Sequence, residues 1–282
     1  IRGVSTLALL PQVTQNSIAL MELDSWQCQG FGEEGISPHI AVFTTFMDDH
    51  LNYYKGDRDQ YLSDKAQIFL HQNPQDTLVV SAQAASIINA KYRSKVLSRV
   101  TIADPARIPK GVSLHVLGEH NRVNAVCAIE AARALSIDDA VITKSITAFK
   151  GVPGRLQLVR EYNGIKIFND TTATVPEATL AALAVLGTEK TILIMGGADK
   201  GLDMSALTSL LPKVKKVLYL AGTGTERLGV PGMDLKTAFA EALNAASAGD
   251  SVVLSPAFAS FGMFKNEFDR GDQFNELIKA LS

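Results

Sequence analysis

The chain is short of several things, and each shortage removes a class of function. Its two cysteines, Cys28 and Cys127, lie far apart among 282 residues. That is too few for a disulfide framework or a structural metal site built on thiolates, so free thiols are expected. No charge of one sign dominates: 27 Lys and Arg stand against 29 Asp and Glu, a net charge of −2. Bulk electrostatics therefore draw the chain neither to nucleic acid nor to a membrane surface. No apolar run approaches the length needed to cross a bilayer. No secretory pattern opens the sequence, and a cytoplasmic location is expected. No internal repeat or low-complexity segment occurs. No Gly-Lys-Ser/Thr is found anywhere, so the chain carries no loop of the kind that cradles nucleotide phosphates with backbone N–H groups and a lysine. The opening Ile1-Arg2-Gly3 has no initiator methionine and reads as the interior of a longer chain.

What is present suits a soluble globular protein, with 46% hydrophobic and 20% charged residues. The length exceeds one small core and suits two domains. Apolar strands alternate with helical segments. Strands are expected at residues 17–23, 40–44, 77–81, 191–195, 216–221 and 251–254, and helices at 60–72, 82–91, 121–135, 137–148, 204–211 and 235–246. A further helix follows Pro176, and another ends the chain. Tyr162-Asn163-Gly164 between two short strands signals a hairpin. Gly151-Val152-Pro153-Gly154 is the best boundary, dividing residues 1–150 from 151–282. Repeated βα units predict an α/β fold with mostly parallel sheets and helices on both faces.

The most informative stretch is Ser255 to Gly271, which follows a buried-looking strand and opens a helix carrying Lys265, Asn266 and Arg270. Open α/β sheets place ligands at such joints, and a helix start offers N–H groups to an anion. Upstream, Glu22 ends an apolar segment, Asp48-Asp49-His50 follows a strand, and Lys65 lies inside a helix. Carboxylates and an imidazole at strand ends suit Mg²⁺, which takes oxygen ligands and keeps waters and phosphates. They equally suit helix caps and a surface histidine. Gly118-Glu119-His120-Asn121-Arg122-Val123-Asn124 precedes an Ala-rich helix, where Asn121 could serve simply as a cap. The glycines of Met195-Gly196-Gly197-Ala198-Asp199-Lys200-Gly201 do not meet the dinucleotide fingerprint, which disfavours an oxidoreductase.

These segments, in this order, resemble the central and C-terminal domains of the Mur ligases, ATP-dependent amide-forming enzymes of peptidoglycan synthesis. The resemblance implies a partial central ATPase domain of the P-loop type followed by a Rossmann-like domain. It implies Mg²⁺ at Glu22 and His50, and at a Lys65 carbamylated by CO₂ into an oxygen ligand, with Asp49 supporting the imidazole or a metal-bound water. It implies ATP at Asn121, with His120 and Asn124 nearby, and at Arg155 and Asp170. The run Ser-Pro-Ala-x-Ala-Ser-Phe-x-x-Phe-Lys-Asn is similar to that of members joining D-glutamate to UDP-N-acetylmuramoyl-L-alanine. For those members the resemblance implies an acceptor pocket at Thr174, Lys200, Ser260, Phe261 and Lys265, an acyl-phosphate intermediate and a monomer. In the family the phosphate loop would lie upstream of Ile1, so an isolated piece beginning there is expected to be inactive. This chain has Thr172 where many relatives have lysine, and Glu267-Phe268 where they have aromatic then acid. Closure about residues 149–154 is expected to bring nucleotide and acceptor together. Two alternatives stand beside this reading: a ligase of the same superfamily with another acceptor, and a non-catalytic nucleotide-binding module.

Overall fold

A computed structural model describes residues 6–49 and 53–281. In chain order these form α1 (Ser25–Glu33), β1 (Ile40–Phe43), α2 (Arg58–Leu70), β2 (Thr77–Ser81), α3 (Ala82–Tyr92) and β3 (Arg99–Ala103). Two helices follow, α4 (Glu119–Ala134) and α5 (Asp139–Ala148). Then come β4 (Gln157–Tyr162), β5 (Ile165–Asn169), α6 (Pro176–Leu186), β6 (Thr191–Gly196), α7 (Ser205–Leu210) and β7 (Lys216–Leu220). The last elements are α8 (Thr223–Arg227), α9 (Leu235–Ala245), β8 (Ser251–Leu254) and α10 (Glu267–Lys279).

The strands make two sheets. The first is parallel, in the order β1-β2-β3. Its central strand β2 is buried at every position, as expected of a parallel strand covered on both faces. Leu78 and Val80 face Phe43, Phe69 and Ile88 on the side of α2 and α3, whereas Val79 meets Val126 and Cys127 of α4 on the other. Asp57 caps α2, its carboxylate accepting from the N–H groups of Asp59 and Gln60.

The second sheet has the order β4-β5-β8-β6-β7, with only β4 antiparallel to its neighbour. The hairpin β4–β5 turns on Asn163 (φ 50°) and Gly164 (φ 77°), both left-handed as a tight hairpin loop demands. Ile167, Ile194, Val252 and Leu254 pack beneath α9 and α10; Phe168, Leu193, Met195 and Val253 pack with Leu183 and Leu207 on the opposite face. Because β8 lies between β5 and β6, the loops after all three strands crowd together at their C-terminal ends, the usual ligand edge of such sheets.

Two contacts bind that edge. At Gly197, φ is 141° and a Cβ would lie 2.2 Å from the carbonyl oxygen of Ala259, so only glycine permits the approach. That approach lets Ala198 and Ala259 exchange backbone hydrogen bonds of 2.9 and 3.1 Å, joining the loops after β6 and β8. The second contact is Arg270 of α10, which has no exposed surface. Its guanidinium donates to Thr171 Oγ1 (3.1 Å), the Thr171 carbonyl (2.8 Å) and the Phe258 carbonyl (3.3 Å). Burial pulls its pKa down to about 10, so it stays charged at neutral pH.

The structure corrects several expectations. Residues 17–24 pair with no strand, so Glu22 does not end one. Asp24 instead starts α1 with a reciprocal cap to Gln27, a helix the sequence reading passed over. Strand β3 and the short α8 were also missed. Asn121 is not the cap of α4, a position held by Gly118. The last helix begins at Glu267 with Asn266 as its cap, so Lys265 precedes it, and Arg270 points inward rather than toward an anion.

Arg270→Met leaves three buried acceptors without their donor. It is expected to cost about 3 kcal/mol of stability, read as a lowered urea midpoint at unchanged m-value. An unchanged midpoint would mean that the guanidinium organises nothing.

Candidate active site

The first candidate cluster surrounds a cavity of about 360 Å³ lined by Glu22, Cys28, Val42, Thr44, Thr45 and Lys65, among others. Lys65 reaches it from α2, its ammonium 5.3 Å from the centre of the Tyr61 ring. Burial pushes the Cys28 thiol pKa up while the nearby Lys65 charge pulls it back. Next to Lys65 in the helix, Asp64 is a buried carboxylate that accepts from Gln29 (2.6 Å) and Gln60 (2.7 Å). The Gln29 bond ties α1 to α2. Asp64 went unnoticed in the sequence because a carboxylate inside a polar helix segment carries no pattern of its own.

Glu22 keeps an exposed carboxylate, and Thr44 and Thr45 add hydroxyls. This oxygen donor set fits a hard cation such as Mg²⁺ that retains waters and phosphate oxygens. Among the described residues no group of three His, Cys, Asp or Glu forms a closed metal site. His50, expected beside Glu22, lies outside the described residues.

The nucleotide candidates fall into two groups. His120, Asn121 and Asn124 occupy the first turns of α4, where the Asn121 amide donates to the Leu117 carbonyl at 2.7 Å. His120 and Asn124 are exposed. Arg155 projects from the loop before β4, and its guanidinium comes within 4.0 Å of the Glu22 carboxylate. Asp170 is buried, each carboxylate oxygen engaged at 2.8 Å, one by the Leu156 N–H and the other by the Ser255 hydroxyl. It thereby fixes the backbone next to Arg155. Burial pushes its pKa up to about 6, against the lowering effects of those two hydrogen bonds and Arg155.

The acceptor candidates gather at the C-terminal edge of the second sheet. The Lys200 ammonium donates to Thr174 Oγ1 at 3.2 Å and to Asp49 Oδ1 at 3.0 Å. Asp49 was expected to support His50; here it meets a lysine 151 positions away, bridging the part of the chain that carries the first sheet to the part that carries the second. Ser260 is buried directly after the bridged Ala259, whereas Phe261 is exposed. Lys265 is exposed too, and only its backbone N–H is held, by the Asp269 carboxylate at 3.0 Å. Thr172 closes the loop by donating from its hydroxyl to the Gly154 carbonyl at 2.9 Å.

Two family domains match the chain: the Mur ligase middle domain over residues 3–106 and the Mur ligase, glutamate ligase domain over residues 154–258. A UDP-N-acetylmuramoylalanine--D-glutamate ligase of Roseiflexus sp. (strain RS-1) is 33% identical over 99% of this chain and 69% of its own length. That of Borreliella burgdorferi (strain ZS7) is 31% identical over 99% of this chain and 67% of its own length. The chain thus spans about two thirds of the curated relatives it matches. Among solved structures, the MurF ligase of Thermotoga maritima in complex with ADP superposes with a TM-score of 0.66 at 15% identity, covering 92% of this chain and 66% of that one. The UDP-N-acetylmuramate-alanine ligase MurC of Thermotoga maritima gives 0.58 at 17% identity, covering 91% of this chain and 62% of that one. At these identities the likeness establishes the fold.

The Asp170 carboxyl makes a prediction with a definite sign. The folded state holds its proton to about pH 6, above the ordinary 3.8. Its ionisation therefore opposes folding increasingly from about pH 4 to about pH 6, and by a constant amount above. Asp170→Asn retains the shape of the side chain and removes that slope. Urea unfolding between pH 4 and 7 is expected to show the variant at least as stable as the parent at pH 7, with the difference vanishing near pH 4.

Proposed function

The chain belongs to the Mur ligase family, and from that premise we propose that it is the metal-binding and acceptor-binding portion of a ligase joining D-glutamate to UDP-N-acetylmuramoyl-L-alanine. The observation that carries this reading is the placement of Lys200 and Thr174. A half-buried ammonium and a hydroxyl converge at the sheet's ligand edge, where the ammonium also meets Asp49 of the segment after β1. The D-glutamate ligases among the relatives support that choice of acceptor.

In this reading, residues 1–150 and 151–282 are separate domains with the reaction between them. Glu22, His50 and a carbamylated Lys65 hold Mg²⁺, which offsets charge on the transferred phosphoryl group. Asn121, with His120 and Asn124 beside it, meets the adenine. Arg155 meets nucleotide phosphate, and Asp170 holds both the ribose and the loop that aims Arg155. ATP phosphorylates the carboxylate of the UDP-linked substrate, and the acceptor amine displaces phosphate from the acyl-phosphate to leave an amide. Lys200 and Thr174 hold one acceptor carboxylate. Ser260 and the backbone N–H of Phe261 hold the other, with Lys265 at the rim. Holding both reactants at near-attack distance supplies much of the rate. The protein acts as a monomer in the cytoplasm.

In the intact protein, Lys65→Ala is expected to lower kcat at least about 1,000-fold, roughly 4 kcal/mol of transition-state stabilisation, measured as the acceptor-dependent rate of phosphate release. An acceptor screen is expected to give D-glutamate the highest kcat/KM; faster use of another amino acid would sink the acceptor assignment. Small-angle scattering of the intact protein is expected to show a smaller radius of gyration with nucleotide bound, and identical profiles would remove the proposed closure about residues 149–154.

A further inference from the structure

The turn that carries Lys200 is held from outside by one side chain. Residues 197–202 leave β6 and pass through Gly201, whose φ of 70° is left-handed. Arg227, the last residue of α8, lies across this turn. Its Nη1 donates to Asp199 Oδ1 at 2.9 Å and its Nη2 to the Leu202 carbonyl at 3.1 Å. One guanidinium thus grips the turn on both sides of Lys200. The same Asp199 oxygen accepts from the Gly201 N–H at 3.0 Å, closing the turn from within. The start of α8 adds two more ties: Thr223 Oγ1 accepts from the Asp199 N–H at 2.9 Å, and the Gly224 N–H donates to the Gly197 carbonyl at 2.9 Å. None of these bonds uses the Lys200 ammonium, which is turned to Thr174 and Asp49.

We propose that Arg227 is a positioning residue for the acceptor: by clasping the turn at Asp199 and Leu202 it fixes the base from which Lys200 reaches the acceptor's carboxylate. The inference rests on the reading of Lys200 as part of that carboxylate site; the addition is a residue outside the site that keeps it formed before the acceptor arrives. A lysine has a long, flexible stem, and a mobile turn beneath it would have to be ordered on binding, at a cost subtracted from affinity. Arginine suits the task, because its planar fork offers two donors at once to acceptors on Asp199 and Leu202, which the point charge of an ammonium does not. The acceptor reacts through its amine, so its contact with Lys200 is the same before and during reaction. Loss of such a contact raises KM and leaves kcat largely intact.

The test uses the intact protein, with D-glutamate as the varied acceptor and acceptor-dependent phosphate release as the rate. Arg227→Met keeps the stem and removes both donors, whereas Arg227→Lys keeps the charge and loses the fork. The Arg227 side chain is 43% exposed, so both variants are expected to fold, and thermal unfolding is read alongside. Arg227→Met is expected to raise the KM for D-glutamate about 10-fold, with kcat lowered no more than about 3-fold and the KM for ATP unmoved. Arg227→Lys is expected to recover the acceptor KM only in part. Added to Lys200→Met, Arg227→Met is expected to cost less than about a further 2-fold, because a residue that acts through Lys200 then has nothing left to position. An unmoved acceptor KM, an equal rise in the acceptor and ATP KM, full recovery by lysine, or an undiminished loss in the Lys200→Met background would each overturn the proposal. If Lys200→Met by itself leaves the KM for D-glutamate unmoved, the acceptor reading fails first, a result obtained with Arg227 intact and so distinct from the others.

Discussion

A guanidinium without access to water holds the ligand edge of the second sheet together. Arg270 donates into the loop after β5 through Thr171 and into the loop after β8 through Phe258, while α10 carries it. Its acceptors are two carbonyls and a hydroxyl, with no carboxylate among them, so the charge is solvated by backbone dipoles rather than paired. Such an arrangement tolerates little displacement, because every donor left without a partner in the interior costs a large part of its solvation. The loop after β6 is tied to the same assembly by the Ala198–Ala259 exchange, which Gly197 makes room for. Thr174, Lys200 and Ser260 are therefore positioned by one connected set of contacts, although they come from three separate loops.

The charges that face each other across the gap differ in kind. Arg155 and Glu22 lie 4.0 Å apart with 62% and 74% of their side chains exposed. A pair of that sort contributes at most about 1 kcal/mol, and salt weakens it further. Lys200 and Asp49 are closer, at 3.0 Å, and far less hydrated, with 17% and 26% of their side chains exposed, so salt screens their attraction less. The Arg155 side of the gap is thus held loosely and the Lys200 side firmly. Both contacts place a cation from the second part of the chain on an anion from the first, so the two parts are electrostatically complementary at these points.

Much of this was legible in the sequence, for physical reasons that can be named. Strand β8 and strand β2 were placed residue for residue, because parallel strands buried on both faces read as short unbroken apolar runs. The hairpin was legible in Asn163-Gly164, which tolerates two consecutive left-handed residues. Strand β3 was not, since Val100 and Ile102 are about half exposed on an edge strand and sit among charged residues. Helix α1 was hidden by Gly30 and Gly32, poor helix formers whose effect the Asp24–Gln27 cap offsets. At the site, motif resemblance pointed to Lys200 and Thr174, which the fold brings within hydrogen-bonding distance. Two roles stayed hidden. Nothing local distinguishes a buried arginine from a solvated one in Phe-Asp-Arg-Gly, and no spacing rule links Asp49 to a lysine in another sheet.

The linker between the two sheets is constrained in a way that narrows where any closing motion is absorbed. Gly154 already belongs to the second part: its carbonyl accepts from the Thr172 N–H (3.1 Å) and hydroxyl (2.9 Å), and its N–H donates to Gln157 at 3.1 Å. Helix α5 holds the chain as far as Ala148 at the other end. What remains is Phe149 to Pro153. Gly151 has a left-handed φ of 99° there, a conformation that suits glycine and that any side chain would strain. Rotation about so short a segment swings Arg155 and Lys200 together, as parts of one body anchored through Asp170 and Arg270. The weak Arg155–Glu22 contact would resist such a swing little, and the less hydrated Lys200–Asp49 pair would resist it more.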